Sequence, residues 1–157
     1  DQRQRLKAAE HILQRMPHRP PLVHSVPETV HYTPSLDFVA LPARRRYNTP
    51  SEYYAALFRG LVHATGHPRR LDRFAACTNR CCEPYSCEEL VGELGAAFLC
   101  GSLGISNLPA EPPAARTLDG WAHALRSDPQ LIFRAAANAQ RAVDYIRGKA
   151  VVDPNAP

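Results

Sequence analysis

Residues 53–67, with the sequence YYAALFRGLVHATGH, decide the fold of this chain because they predict one long buried helix. Thr49 and Glu52 have the spacing of a capping box, and Pro50 stands at the first helical position. Apolar residues recur at helical spacing along one face, namely Tyr54, Leu57, Phe58, Leu61 and Val62. We therefore expect a helix that starts at Pro50 and stops near Gly66, a natural C-terminal cap.

Arg59 and His63 lie four residues apart and therefore share another face of this helix. In the H-E-x-x-H motif of zinc metallopeptidases, two histidines at this spacing bind zinc and the glutamate activates a metal-bound water. Here the five positions read RGLVH, so the second histidine is present while Arg59 and Gly60 replace the first histidine and the glutamate. Arginine cannot ligate a cation and glycine supplies no base. The motif predicts a metallopeptidase-like helix with an incomplete site.

The remaining pattern predicts an α+β domain with about five helices and a small antiparallel sheet. Helices are expected over residues 4–15, 85–103, 118–126 and 128–148, besides the central one. Two strands are expected over residues 29–33 and 37–41, as a hairpin, with a Pro-rich loop or extended stretch over 16–27 and a linker over 107–115. We expect a single domain over 1–148 and a disordered tail over 149–157.

The composition indicates an ordinary globular domain in a reducing compartment. The chain has 157 residues, 45% of them apolar, and no apolar run approaches the roughly 20 residues that span a bilayer. Without a secretory signal, we expect a cytoplasmic protein with reduced cysteines and no membrane partner. The net charge of +4 supports at most weak non-specific attraction to nucleic acid.

Two arginine clusters predict either solvated loops or contacts with phosphate groups. They consist of Arg44, Arg45 and Arg46 before the central helix and of Arg69, Arg70 and Arg73 after it. Arginine binds phosphate and carboxylate groups through two parallel hydrogen bonds, so a phosphate or an acidic substrate is a candidate partner of these side chains.

Two acidic residues on the next helix are candidates to complete a metal site. Glu89 follows His63 by 26 residues, which is the order in which glutamate-type zincins supply their third ligand, and Glu93 one turn later suits a supporting carboxylate. Ser86 and Glu89 also have capping-box spacing, so Glu89 is equally a candidate helix cap. His67 could join the site if the helix continues past Gly66 or if the turn there is favourable, and Glu88 and Glu93 are the nearby candidate bases.

The cysteines offer a different place for zinc. Cys77, Cys81, Cys82 and Cys87 fall within eleven residues, and three or four thiolates in one loop could hold a structural zinc ion, with His67 or His63 to complete it. The alternative is a loop with unpaired thiols or one local disulfide.

The motifs together resemble the zincin-like metallopeptidase domain of ArdC-type antirestriction proteins and of the polyvalent proteins of plasmids and phages. The segments that carry the resemblance are Tyr32–Pro42, Tyr53-Tyr54, His63–Arg73, Tyr85–Glu93, Trp121 with Leu125, and Asp144-Tyr145-Ile146. The resemblance spans about residues 8 to 147, and the cysteine-rich insertion is a departure from it.

The resemblance implies a zinc metallopeptidase-like domain, usually preceded by a domain that binds single-stranded DNA, in proteins that protect mobile DNA from host restriction. It makes His63 a metal ligand, Glu89 the third ligand and Glu93 its support, whereas Arg59 and Gly60 prevent the carry-over of peptidase activity. The prediction is a degenerate zincin that acts by binding protein or DNA. The alternatives are an active zinc peptidase rebuilt from His63, His67 and Glu89, and a single-stranded-DNA-associated module with zinc in the cysteine loop.

Overall fold

The computed structural model describes residues 1–25, 29–74, 84–107 and 115–151. These ranges contain five long helices, α1 (Gln2–Arg15), α2 (Pro50–Ala64), α3 (Pro84–Leu103), α4 (Ala115–Ser127) and α5 (Leu131–Ile146). They also contain three strands, β1 (Leu22–Ser25), β2 (His31–Thr33) and β3 (Phe38–Pro42). The predicted α+β class is confirmed. Within these ranges, no helix has the length and apolar character that crossing a membrane requires.

Helix α2 is the central element because it packs against the sheet, α3 and α5. It begins as the sequence predicts, with the Thr49 hydroxyl accepting a hydrogen bond from the Glu52 amide at 3.2 Å. The five apolar residues of the predicted stripe, Tyr54, Leu57, Phe58, Leu61 and Val62, are fully buried. The helix ends at Ala64, two residues before Gly66, and tight turns follow.

The sheet is mixed, which corrects the prediction of an antiparallel sheet. Strand β3 lies in the centre, antiparallel to β2 and parallel to β1, and Val39 is paired with Tyr32 on one side and Leu22 on the other. Strand β1 falls in the stretch predicted as a loop or extended segment. Its four residues lie between Pro21 and Pro27. Proline is tolerated beside an edge strand, so these two prolines limit the length of β1 but do not exclude it.

The later helices differ from the predictions mainly at their ends. Helix α3 starts one residue earlier, α4 is longer at both ends, and α5 starts at Leu131 rather than at Asp128. The Asp128 carboxylate instead accepts from the amide of Gln130, in the turn before α5. Most of the predicted linker and of the predicted tail lies outside the described residues.

A buried arginine ties the end of α2 to the sheet. The Arg70 side chain is 1% exposed, donates from Nε to the carbonyl of Ala64 at 2.6 Å, and pairs with the Asp37 carboxylate. It also donates to the Tyr32 hydroxyl at 3.1 Å and to the carbonyl of His18 at 2.9 Å. Burial would raise the pKa of Asp37, but hydrogen bonds from Arg70 and Tyr32 outweigh it, so the pKa is lower than usual. One guanidinium therefore holds α2, the β2–β3 turn and the segment after α1 together.

Replacement of Asp37 by Asn should destabilise the fold by about 3 kcal/mol at pH 7, because it leaves the buried Arg70 charge without a counter-ion. Asn tolerates the positive φ of 50° at this position, so the backbone is preserved. The folded pKa of Asp37 is lower than the unfolded one, so its contribution is present above about pH 4 and is lost as the pH falls through the folded value.

Urea unfolding of both proteins between pH 3 and pH 7 measures this difference. The matched control is Asp119→Asn on the exposed face of α4, which should change stability by less than about 0.5 kcal/mol. A loss for Asp37→Asn that is equal at both ends of the pH range would contradict the role of the carboxylate charge.

Candidate functional site

The candidate site lies where α2 faces α3, at the positions of the incomplete motif. Arg59 extends from α2 and donates from Nη2 to Oε2 of Glu89 at 2.6 Å. Its Nε lies 2.7 Å from Oε1 of Glu93, one turn further along α3. A single guanidinium thus bridges the two carboxylates that the sequence assigns to the metal site. Glu89 is therefore a partner of α2 rather than a cap of α3, which already begins at Pro84.

His63, the one motif histidine that is present, is held by a second pair of charged residues. Its Nδ1 lies 3.1 Å from Oε1 of Glu88. The same carboxylate accepts from Nε and Nη2 of Arg73 at 2.9 and 2.7 Å. Burial would raise the pKa of Glu88, but the hydrogen bonds from Arg73 and His63 prevail and lower it. Glu88 is therefore an anion at neutral pH and fixes the orientation of the imidazole.

The other nitrogen of His63 is covered by α3. A Cβ atom placed on Gly92 would overlap Nε2 and Cε1 of the imidazole, so the ring lies directly against the helix backbone. This close contact requires glycine at position 92. With Nδ1 on Glu88 and Nε2 on Gly92, both nitrogens of His63 face α3.

Gly60, at the position of the missing base, is also tightly enclosed. A Cβ atom built there would lie 2.7 Å from Cγ1 of Val39 and 2.9 Å from Cγ2 of Val30. Both distances are shorter than a carbon–carbon contact of about 3.5 Å. The two valines therefore occupy the space into which a larger residue at position 60 would extend.

The predicted metal ligands do not fit a bound ion in this arrangement. Among the described residues, no three His, Cys, Asp or Glu side chains form a group that could hold a metal. His63, Glu89 and His67 are thus not brought together. The amide of Arg69 donates to the Nδ1 of His67 at 3.2 Å, and Glu89 is paired with Arg59. The peptidase site rebuilt from His63, His67 and Glu89 stays a prediction, and in this structure the cation beside Glu89 is Arg59.

The cysteine-rich loop falls largely outside the described residues. Cys77, Cys81 and Cys82 are not described, and the Cys87 side chain, in α3, is half-buried. Cys100 lies in the core, and burial raises the pKa of its thiol to about 11, so it is unreactive at neutral pH.

The predicted phosphate-binding arginines separate into two groups. The Arg70 and Arg73 side chains are 1% and 6% exposed and donate to main-chain carbonyls near the end of α2. Both guanidinium groups are thus already bonded within the protein, and their contact with phosphate stays a prediction. Arg45, Arg46 and Arg69 are exposed. The Arg44 guanidinium lies over the rings of Tyr53 and Tyr54 and donates to the Tyr54 hydroxyl at 2.8 Å.

Three features of this site were not predicted from the sequence. They are the Glu88–Arg73 pair, the valines at Gly60 and the contact between His63 and Gly92. A signal for the first existed, since basic residues shortly after a helix commonly satisfy its last carbonyl groups. The other two depend on the distance between elements, which the local pattern does not contain.

Comparisons with known proteins identify relatives that are longer than this chain. A family described as zincin-like metallopeptidase matches residues 8–138. The chain is 35% identical over 141 residues to a protein named DNA primase TraC of Escherichia coli. The aligned region covers 90% of this chain and 9% of that protein. It is 36% identical over 124 residues to the uncharacterized protein y4eC of Sinorhizobium fredii, over 76% of this chain and 38% of that protein.

Two crystal structures of the antirestriction protein ArdC from plasmid R388 have the same fold. The metal-free structure aligns with a TM-score of 0.73 at 33% identity, and the Mn(II)-bound structure with 0.74 at 31%. Each covers 90% of this chain, and 48% and 51% of the ArdC chain, respectively. The chain therefore spans about half the length of ArdC and less of the other relatives.

Replacement of Glu88 by Gln should cost about 3 kcal/mol of stability, because it removes the counter-ion of the buried Arg73. The same replacement at Glu93, on the same helix but with a side chain that is 36% exposed, should cost less than about 1 kcal/mol. Urea unfolding at pH 7 measures both. Equal losses would show that the Glu88–Arg73 pair does not anchor the site.

Proposed function

The chain belongs to the zincin-like metallopeptidase family, and we propose that it is a non-hydrolytic domain of an antirestriction-type protein of a mobile element, which acts by binding protein or DNA. The observation that carries this proposal is the bridge from Arg59 to Glu89 and Glu93. A guanidinium has no lone pair to offer a metal, and its positive charge repels one. Hydrolysis by this fold requires a metal ion that binds water and a base that deprotonates the water, and in this chain Arg59 and Gly60 replace the first metal ligand and the base of the motif.

The antirestriction part of the proposal is supported by the relatives. ArdC from plasmid R388 is an antirestriction protein, and the chain aligns with about half of it. We place the protein in the cytoplasm, where restriction enzymes meet incoming DNA. The proposed binding role is supported by a fold that is similar to ArdC although the first metal ligand and the base of the motif are absent.

Purified protein should show no peptidase activity on a denatured protein substrate, with or without added zinc or manganese. An active ArdC-type domain with an intact H-E-x-x-H motif, assayed beside it, is the positive control. Hydrolysis that a chelator abolishes and that Glu89→Ala removes would overturn the proposal.

Metal content by mass spectrometry separates the two places proposed for zinc. We expect that any zinc in the purified protein is lost with the double replacement Cys81→Ser/Cys82→Ser. It should be retained in His63→Ala and Glu89→Ala, because Arg59 already supplies the positive charge beside Glu89. Loss of zinc in His63→Ala and Glu89→Ala would contradict the non-hydrolytic proposal.

Binding of single-stranded DNA is a second candidate function, favoured by the exposure of Arg45 and Arg46. These side chains stand on a short 3-10 helix before α2, where Arg44 is held against two tyrosine rings. An exposed arginine pair next to a fixed one is suited to contact successive phosphate groups.

The double replacement Arg45→Ala/Arg46→Ala should weaken binding to a single-stranded oligonucleotide and reduce the slope of log affinity against log salt by about 1.4, because each phosphate contact on a single strand contributes about 0.7. Arg3→Ala/Lys7→Ala, on the exposed face of α1, removes the same charge and is the matched control. Fluorescence anisotropy between about 50 and 200 mM salt measures the slope. Equal effects of the two variants, or affinity independent of salt, would exclude this surface.

A further inference from the structure

We infer that Arg59 and Gly60 are a coupled replacement of the metal site, in which Arg59 is a permanent cation for Glu89 and Glu93 and Gly60 lets Val30 and Val39 close against α2. The inference rests on the proposed function, because it explains how the fold persists without a catalytic metal. It adds that restoring the two motif residues alone does not restore the site.

The first step concerns charge. Glu89 and Glu93 are one turn apart on α3, and like charges at this spacing destabilise a helix. Both carboxylates lie on the side of α3 that faces α2, where the Glu89 side chain is 19% exposed. Arg59 supplies a positive group that contacts both, through Nη2 and Nε. The charge of a bound ion is thereby replaced by one that cannot dissociate from the chain.

The second step concerns space. Glycine is a poor helix former, yet Gly60 lies in the middle of the buried face of α2. Its lack of a side chain allows Val39 of β3 and Val30, just before β2, to approach the helix backbone more closely than a Cβ atom permits. The space of a base at position 60 is consequently filled by valine methyl groups.

The two steps are linked by the position of the sheet. An acidic side chain at position 60 would fit only if the sheet lay further from α2. The packing of Val30 and Val39 against α2 stabilises the present position of the sheet. Histidine at position 59 would also leave Glu89 and Glu93 without their guanidinium. In the present structure His63 is turned towards Glu88 and Gly92, neither of which these two replacements alter. Regain of a metal site therefore needs changes on the sheet and on α3 as well as in the motif.

Thermal unfolding tests the spatial step with single methyl groups. Gly60→Ala should lower the melting temperature by about 4 °C or more, although alanine is the better helix former. The matched control is Gly101→Ala in α3, where nothing lies within 4 Å of the added Cβ, and it should leave the melting temperature unchanged or raise it. In a Val39→Ala background, Gly60→Ala should cost less than half as much. An unchanged cost in that background, or no cost in the wild type, would overturn the inference.

The charge step is tested by removing the cation and then its partners. Arg59→Met should lower the melting temperature by about 4 °C or more, and Glu89→Gln/Glu93→Gln in the same chain should recover at least half of that loss. Mn²⁺, which prefers oxygen ligands and would not fill a thiolate site, should leave the wild-type melting temperature unchanged. Stabilisation of the wild type by Mn²⁺, or no recovery by the glutamines, would contradict the role of Arg59 as the cation. Peptidase activity with these results intact would overturn the proposed function alone.

Discussion

The geometry of the site depends on the hydrogen bonds that the buried guanidinium of Arg73 donates. It donates to the carbonyl of Val62 and the hydroxyl of Thr65 at the end of α2 and, twice, to the carboxylate of Glu88 on α3. A buried charge is tolerated only when such hydrogen bonds compensate the loss of water. Because these four hydrogen bonds join the end of α2 to α3, the two helices are held in one relative position, and Arg59 and His63 contact their acidic partners from it.

The fold could be predicted from the sequence where local signals determine it. Helix α2 has a capping residue, a proline at its first position and an apolar stripe, and all three agree. Strand β1 could not be predicted, because its four residues are stabilised by pairing with β3 and carry little pattern of their own. The parallel pairing that makes the sheet mixed is likewise a property of the tertiary structure.

The sequence identified residues of the site that meet in the structure, but it did not identify all of their contacts. Glu89 and Glu93 were identified from their spacing to His63, and the structure brings both against Arg59 instead of a metal ligand set. For the arginines after α2 the sequence left solvated loops and phosphate contacts both open, because burial cannot be inferred for a basic cluster whose partners, Asp37 and Glu88, lie far away in sequence. Charge in a sequence indicates that a counter-charge exists somewhere, and only the fold identifies it.

The short outer strands have a consequence for how a partner can be recognised. Strand β2 has three residues and β1 four, and each forms an edge of the described sheet. An extended peptide that adds to a sheet gains affinity from a row of main-chain hydrogen bonds, and edges of this length offer only a few. Strand addition at either edge of the described sheet would therefore contribute little affinity, and recognition of a partner would depend on the identity of the side chains it meets rather than on main-chain hydrogen bonds.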